Sequence, residues 1–116
     1  VILIGGRLFR HSVGTVGAAA IEGIAHIHAD LFFMGVTGIH PDAGLTTGDY
    51  EEACIKRAFS GRAAETVVLA SPEKINTASS FRIGELSLIN TVVVEADTDS
   101  RWVEVVTGQG VSVVKV

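Results

Sequence analysis

Ala29-Asp30-Leu31-Phe32-Phe33-Met34 runs into Gly35-Val36-Thr37-Gly38-Ile39-His40-Pro41-Asp42-Ala43-Gly44-Leu45-Thr46-Thr47-Gly48, then Asp49-Tyr50-Glu51-Glu52-Ala53-Cys54-Ile55-Lys56-Arg57-Ala58-Phe59, and finally Thr66-Val67-Val68-Leu69-Ala70. An apolar run, a Gly-rich loop, a helix-forming segment and a second apolar run make one strand, loop, helix, strand unit. Connections of this kind usually take roughly 2 to 6 residues, and much longer ones inside compact domains are commonly functional. In an open α/β sheet, ligands sit beyond the carboxyl ends of the strands, where this loop must lie.

Outward from that unit the pattern continues. Val1-Ile2-Leu3-Ile4 is an unbroken β-branched and Leu run ended by Gly5-Gly6, which predicts a strand buried on both faces. Ser12 is placed to cap a helix from about Val13 to His28, with Val13, Val16, Ala20, Ile24 and Ile27 at helical spacing. Gly14, Gly17 and Gly23 weaken that helix by about 1 kcal/mol each if interior. After Ala70, Pro72 stops the strand. Thr77 to Gly84 reads as polar and irregular, and Glu85 to Ile89 as a short helical turn. Thr91 to Glu95 is a further strand, and Asp97 or Thr98 caps a helix to about Thr107 ended by Gly108 or Gly110. Val111 to Val116 reads as a last core strand. Strands alternating with helices predict a parallel α/β sheet joined by right-handed crossovers, with helices on both faces.

The 116 residues make one domain, 47% apolar and 19% charged, which is enough apolar surface for a core. A net charge of -4 argues against nonspecific binding to nucleic acid phosphates. With a single cysteine, Cys54, there is no intrachain disulfide, and a reducing compartment is the expectation. No apolar run approaches the roughly 20 residues of a membrane span. An opening inside a core-type strand, without an initiator Met, is what a fragment of a longer protein would show.

Each candidate site residue has a plainer reading. Gly5 and Gly6 allow close approach of a phosphate or sugar, or simply a tight turn. Glu52 and Lys56, at i, i+4, are either a surface ion pair or a pair facing a cleft. Lys74 follows a strand's carboxyl end, a ligand-facing position, yet a loop lysine is often only solvated. Ser71 could donate to a ligand or cap the turn. His11, His26, His28 and His40 have no partner set at metal-ligand spacing, so no metal is expected. Cys54 reads as a small core residue, and Trp102 as core filling beside Val103 and Val106. Neither a Walker motif nor a full G-x-G-x-x-G is present, so no nucleotide cofactor is expected.

The order of the motifs is more informative than any one of them. Val1-Ile2-Leu3-Ile4-Gly5-Gly6, Gly35-Val36-Thr37-Gly38-Ile39, Gly44-Leu45-Thr46-Thr47, Glu52 to Ala58 and Val67-Val68-Leu69-Ala70 followed by Lys74 closely resemble the C-terminal effector domain of DeoR-type bacterial transcriptional regulators. The resemblance implies a Rossmann-like, mostly parallel sheet similar to phosphosugar isomerases. It implies a cytoplasmic, homo-oligomeric, non-catalytic sensor of a phosphorylated sugar or related metabolite; the alternative is a phosphosugar isomerase or deaminase-like enzyme. DNA contact would come only through an N-terminal winged helix-turn-helix outside this chain, and no membrane partner is implied. The same resemblance places Gly5, Gly6, Gly38, Thr46, Glu52, Lys56 and Lys74 around the effector cleft, with both lysines on anionic groups and Glu52 on sugar hydroxyls or orienting Lys56. Where the family typically has Asp-Ser-Ser-Lys-Phe-Gly, this chain has Ser71-Pro72-Glu73-Lys74-Ile75-Asn76, keeping Lys and replacing Asp with Ser. The family's earlier Ser-Gly-Thr-Thr phosphate loop and Thr-Asn-Ser turn are not in these residues, so part of the pocket is expected to lie outside them.

Overall fold

Three apolar runs rich in β-branched residues pair in parallel in the computed structural model, which describes residues 1–116. In chain order the elements are β1 (Arg7–Phe9), β2 (Gly14–Val16), α1 (Ala18–Ile24), β3 (Ala29–Met34), β4 (Gly38–His40), β5 (Gly44–Thr47), α2 (Tyr50–Ser60), β6 (Ala63–Ala70), a 3-10 turn at Pro72–Lys74, β7 (Phe81–Gly84), a second 3-10 turn at Leu86–Leu88, β8 (Thr91–Val94), α3 (Ser100–Gly108) and β9 (Ser112–Lys115). The main sheet has the order β3-β6-β8-β9 with every pair parallel. This is the α/β class read from the alternation of strands and helices.

Register decides what the sheet buries. Met34 lies beside Val68, Val68 beside Val92, and Ala70 beside Val94. All five are buried in one cluster with Ala53 of α2 and Trp102 and Val106 of α3. The next residues along each strand point the other way, and there Leu31, Phe33, Leu69 and Val114 are exposed, Phe33 by 61% and Leu69 by 55%. Of the two helical layers expected, these residues supply one. The physical reason is strand order: it advances in one direction from β3 to β9, and right-handed crossovers that all step the same way put their helices on the same side.

Inside the long connection between β3 and α2, β4 and β5 form an antiparallel pair, and β7 joins it from the far side of β6. Ile39, Leu45 and Ile83, one from each strand, are all fully buried, so the loop extends the core. The segment Thr77 to Gly84 is therefore only partly irregular: a four-residue strand with one buried side chain is too short for its period to stand out. The 3-10 turn at Leu86–Leu88 falls where the short helical turn was expected.

Four expectations need correction. Val1 to Ile4 is not a buried strand; it pairs with nothing, Val1, Ile2 and Leu3 are exposed, and only Ile4 reaches the cluster formed by Val16, Ala20, Ile24 and Ile55. A strand requires a partner edge, which these residues do not provide. The helix from Val13 to His28 is instead the end of a hairpin plus a seven-residue helix, because Val13 (φ 52°) and Gly17 (φ 96°) adopt left-handed backbone and interrupt it. Asp99, not Asp97 or Thr98, caps α3, its carboxylate accepting from Arg101 N–H at 2.9 Å. β9 is an edge strand, its Ser112, Val114 and Lys115 exposed rather than core. Trp102 is buried as expected, whereas Cys54 is only half-buried between buried Ala53 and Ile55.

Burial separates two apolar residues that look alike in sequence. Leu45→Ala removes a fully buried side chain and is expected to cost about 2–5 kcal/mol in urea unfolding. Phe33→Ser on the open face should change stability by less than about 0.5 kcal/mol.

Candidate functional site

Helix α2 turns back along β3. The Phe59 ring sits 5.2 Å from that of Phe32, and near the start of β3 the Ala29 N–H donates to Arg62 O at 3.0 Å. The opposite end of α2 therefore stands at the carboxyl ends of the strands, where a Cβ on Gly35 would lie 3.9 Å from the Lys56 Nζ. Asp49 begins the helix: its Oδ2 accepts the Glu52 N–H at 3.0 Å, and Glu51 and Glu52 fill the first turn, where carboxylates suit the helix dipole. Arg57 fixes the helix from the side, donating to Ile83 O at 2.7 Å and Arg82 O at 2.9 Å.

The second component is the segment after β6, stitched to the antiparallel strands at several points. Asn76 N–H donates to Ile39 O at 2.9 Å, Ser79 N–H donates to the Thr46 hydroxyl at 2.8 Å, and the Thr37 and Ser79 hydroxyls share a hydrogen bond. Gly38 allows this approach, since a Cβ there would stand 2.3 Å from Thr77 O. Lys74, in the 3-10 turn between β6 and these stitches, is thereby brought within electrostatic reach of Lys56.

Lys56 is half-buried, and burial lowers its pKa below the ordinary lysine value; Glu52 pulls it back up and Lys74 pushes it further down. No carboxylate forms a salt bridge with either lysine; the two ion pairs in the chain are Arg7–Glu51 and Arg82–Glu85. The i, i+4 pair Glu52 and Lys56 is thus not a closed surface ion pair. Beside Lys74, the Glu73 carboxylate is held below its usual range, first by the Ser71 hydroxyl, which donates to it at 2.5 Å. The Ser71 side chain is engaged in its own turn.

Glu52, Lys56 and Lys74 are therefore brought together at one end of the sheet. The Thr46 hydroxyl, donating to Gly38 O at 3.4 Å and accepting from Ser79 N–H, is buried in the stitching, and Gly38 belongs to the same contact. Gly6 (φ 147°) packs against α1, where a Cβ would stand 2.9 Å from that of Ala20; Gly5 has nothing within 4 Å. Sequence reasoning missed a cavity of about 460 Å³ beside Glu52, bordered by His11 and Phe9 of the hairpin, Thr37, Thr47 and Asp49. Asp49 had a signal, as the polar residue opening a helix; His11, just ahead of the expected helix, was weighed only as a metal ligand and set aside.

The model of the family described as the DeoR C-terminal sensor domain matches residues 1–96. The chain belongs to that family. Among its relatives are an uncharacterized HTH-type transcriptional regulator, FruR, of Bacillus subtilis, 31% identical over 84% of this chain and 40% of its own length, and the glycerol-3-phosphate regulon repressor of Escherichia coli, 26% identical over 92% of this chain and 42% of its own. The HTH-type transcriptional regulator GlpR of Haloferax volcanii is 30% identical over 97% of this chain and 44% of its own length. The sensor-domain chain spans about two fifths of the length of these regulators. No helix in it is long and apolar enough to cross a membrane.

A desolvated lysine facing a second lysine costs the unliganded domain stability. Between its lowered pKa and the ordinary 10.5, folded Lys56 has lost its proton while the unfolded chain keeps it, so stability rises with pH through that window, and below it the full cost is present. Lys56→Met should stabilise the domain at neutral pH, at the low end of about 0.5–2 kcal/mol because the group is half-exposed. The advantage should shrink as pH climbs from the lowered Lys56 pKa toward 10.5, as thermal melts at several pH values would show.

Proposed function

We propose that this domain senses a phosphorylated sugar or related metabolite, with the Lys56 and Lys74 ammonium groups on its anionic group and Glu52 on hydroxyls or orienting Lys56. One observation supports this above the others: half-buried Lys56 stands beside Gly35 at the carboxyl end of β3, closes no salt bridge, and feels the charges of both Glu52 and, from a different element, Lys74. Like charges held together at a ligand-facing edge are stabilised when an anion arrives. In the complete regulator, occupancy of this site would control DNA binding by a helix-turn-helix segment outside these residues, in keeping with the names of its relatives. The role is sensing without turnover, and the regulator would work as a homo-oligomer in the cytoplasm.

Calorimetric titration with glycerol 3-phosphate and a hexose phosphate tests the reading. Lys56→Ala and Lys74→Ala should each remove a charge-assisted hydrogen bond of about 1.5–3 kcal/mol, weakening binding roughly ten- to a hundredfold. Affinities within twofold of the parent in both variants would remove the site assignment. Isomerised product from the hexose phosphate above buffer, lost in Glu52→Gln, would favour an isomerase-like enzyme instead.

A further inference from the structure

The chain has three lysines, Lys56, Lys74 and Lys115, and their surroundings differ. Lys115 is exposed on the edge strand β9, and its ammonium donates to Thr98 O at 3.3 Å. Lys56 is half-buried on α2 and closes no salt bridge. Beyond its own chain neighbours, a Cβ on Gly35 would have one heavy atom within 4 Å, the Lys56 Nζ at 3.9 Å. The strand end beside that nitrogen therefore has room for a small group.

An amine attacks a carbonyl carbon only in its free, unprotonated form. Burial favours that form of Lys56 by lowering its pKa; Glu52 offsets part of the shift and Lys74 adds to it. Desolvation and a neighbouring cation are the two means by which a lysine becomes a nucleophile near neutral pH. Lys74 also enters no salt bridge, so the cation that helps to free the Lys56 amine is itself open to an anion. One lysine is thus disposed to react and the other to hold a negative group beside it.

We propose that Lys56 is an acylation site for small acyl phosphates, with Lys74 holding the phosphoryl group while the Lys56 Nζ faces the acyl carbon. The free amine forms a C–N bond as the bond from the acyl carbon to the phosphate oxygen breaks. Phosphate leaves with the surplus amine proton, so amine and acyl phosphate become amide and hydrogen phosphate, and no further reactant is needed. The amide is uncharged, and the modified chain keeps one cation of the pair. The proposal rests on the effector reading only in taking Lys74 as able to hold a phosphoryl group; it requires no effector.

Incubation of the chain with acetyl phosphate, followed by peptide mass spectrometry at all three lysines, tests it. Lys56 should be acetylated at least about tenfold faster than Lys115, the factor that one charge-assisted hydrogen bond to the phosphoryl group supplies. A neutral acyl donor without phosphate, para-nitrophenyl acetate, separates docking from reactivity. Lys74→Ala should slow Lys56 by about tenfold with acetyl phosphate, but by less than about threefold with the ester, where only the relief of like-charge repulsion acts. Lys74→Arg should restore the acetyl phosphate rate, because a guanidinium holds phosphate as well as an ammonium does. Lys56 reacting no faster than Lys115, or slowed by Lys74→Ala alike with both donors or with neither, would overturn the assignment. Excess glycerol 3-phosphate should protect Lys56 from acetyl phosphate. Selective acetylation without that protection would remove the effector from the lysine pair and leave the acylation site standing.

Discussion

The arrangement at the strand ends depends on the contact between Gly38 and the segment after β6. Lys74 sits in a 3-10 turn of three residues, which has little stability of its own. It is held near Lys56 because the chain beyond it is tied to β4 and β5 through Asn76 N–H to Ile39 O and Ser79 N–H to the Thr46 hydroxyl. Both ties require the backbones to approach more closely than any side chain at position 38 would permit. Gly38 and Thr46 thus hold the segment after β6 against the antiparallel strands.

The central unit was legible because its signals are strong and local: long apolar runs, a polar residue opening α2, and Glu52 and Lys56 one turn apart. Strand pairing across a long separation was not. Phe81 to Gly84 becomes a strand only because β5 offers it an edge, with Thr46 opposite Arg82 and Thr47 opposite Phe81. Val1 to Ile4 shows the converse, having the strongest strand composition in the chain and no edge to join. Strand propensity is largely a statement about neighbours, so composition alone misjudged both segments. The hairpin was lost because Val16, Ala20 and Ile24 do recur at helical spacing, but the backbone reversal at Val13 and Gly17 intervenes and leaves no trace in apolar periodicity.

Lys56 and Arg57 show how differently one helix treats two neighbouring cations. Arg57, the next residue, gives both sides of its guanidinium to carbonyls of β7 and fixes the helix. Lys56 extends toward Gly35, gains no ion pair, and is desolvated beside another cation. Two adjacent cations on one helix thus differ, one satisfied by backbone carbonyls and the other left without an ion pair. Such unfavourable local electrostatics persist where an anion relieves them, which is why perturbed lysines concentrate at functional sites.

The acidic first turn of α2 is the complementary case. Carboxylates at a helix N-terminus usually need no explanation beyond the dipole they offset. Asp49 and Glu51 conform to that, one capping the helix and the other pairing with Arg7. Glu52 does more: it borders the cavity and raises the Lys56 pKa without closing a salt bridge, so the same carboxylate acts on both ends of the cleft. With a desolvated cation one turn beyond it, the helix presents an acceptor and a positive charge in a fixed order along its axis.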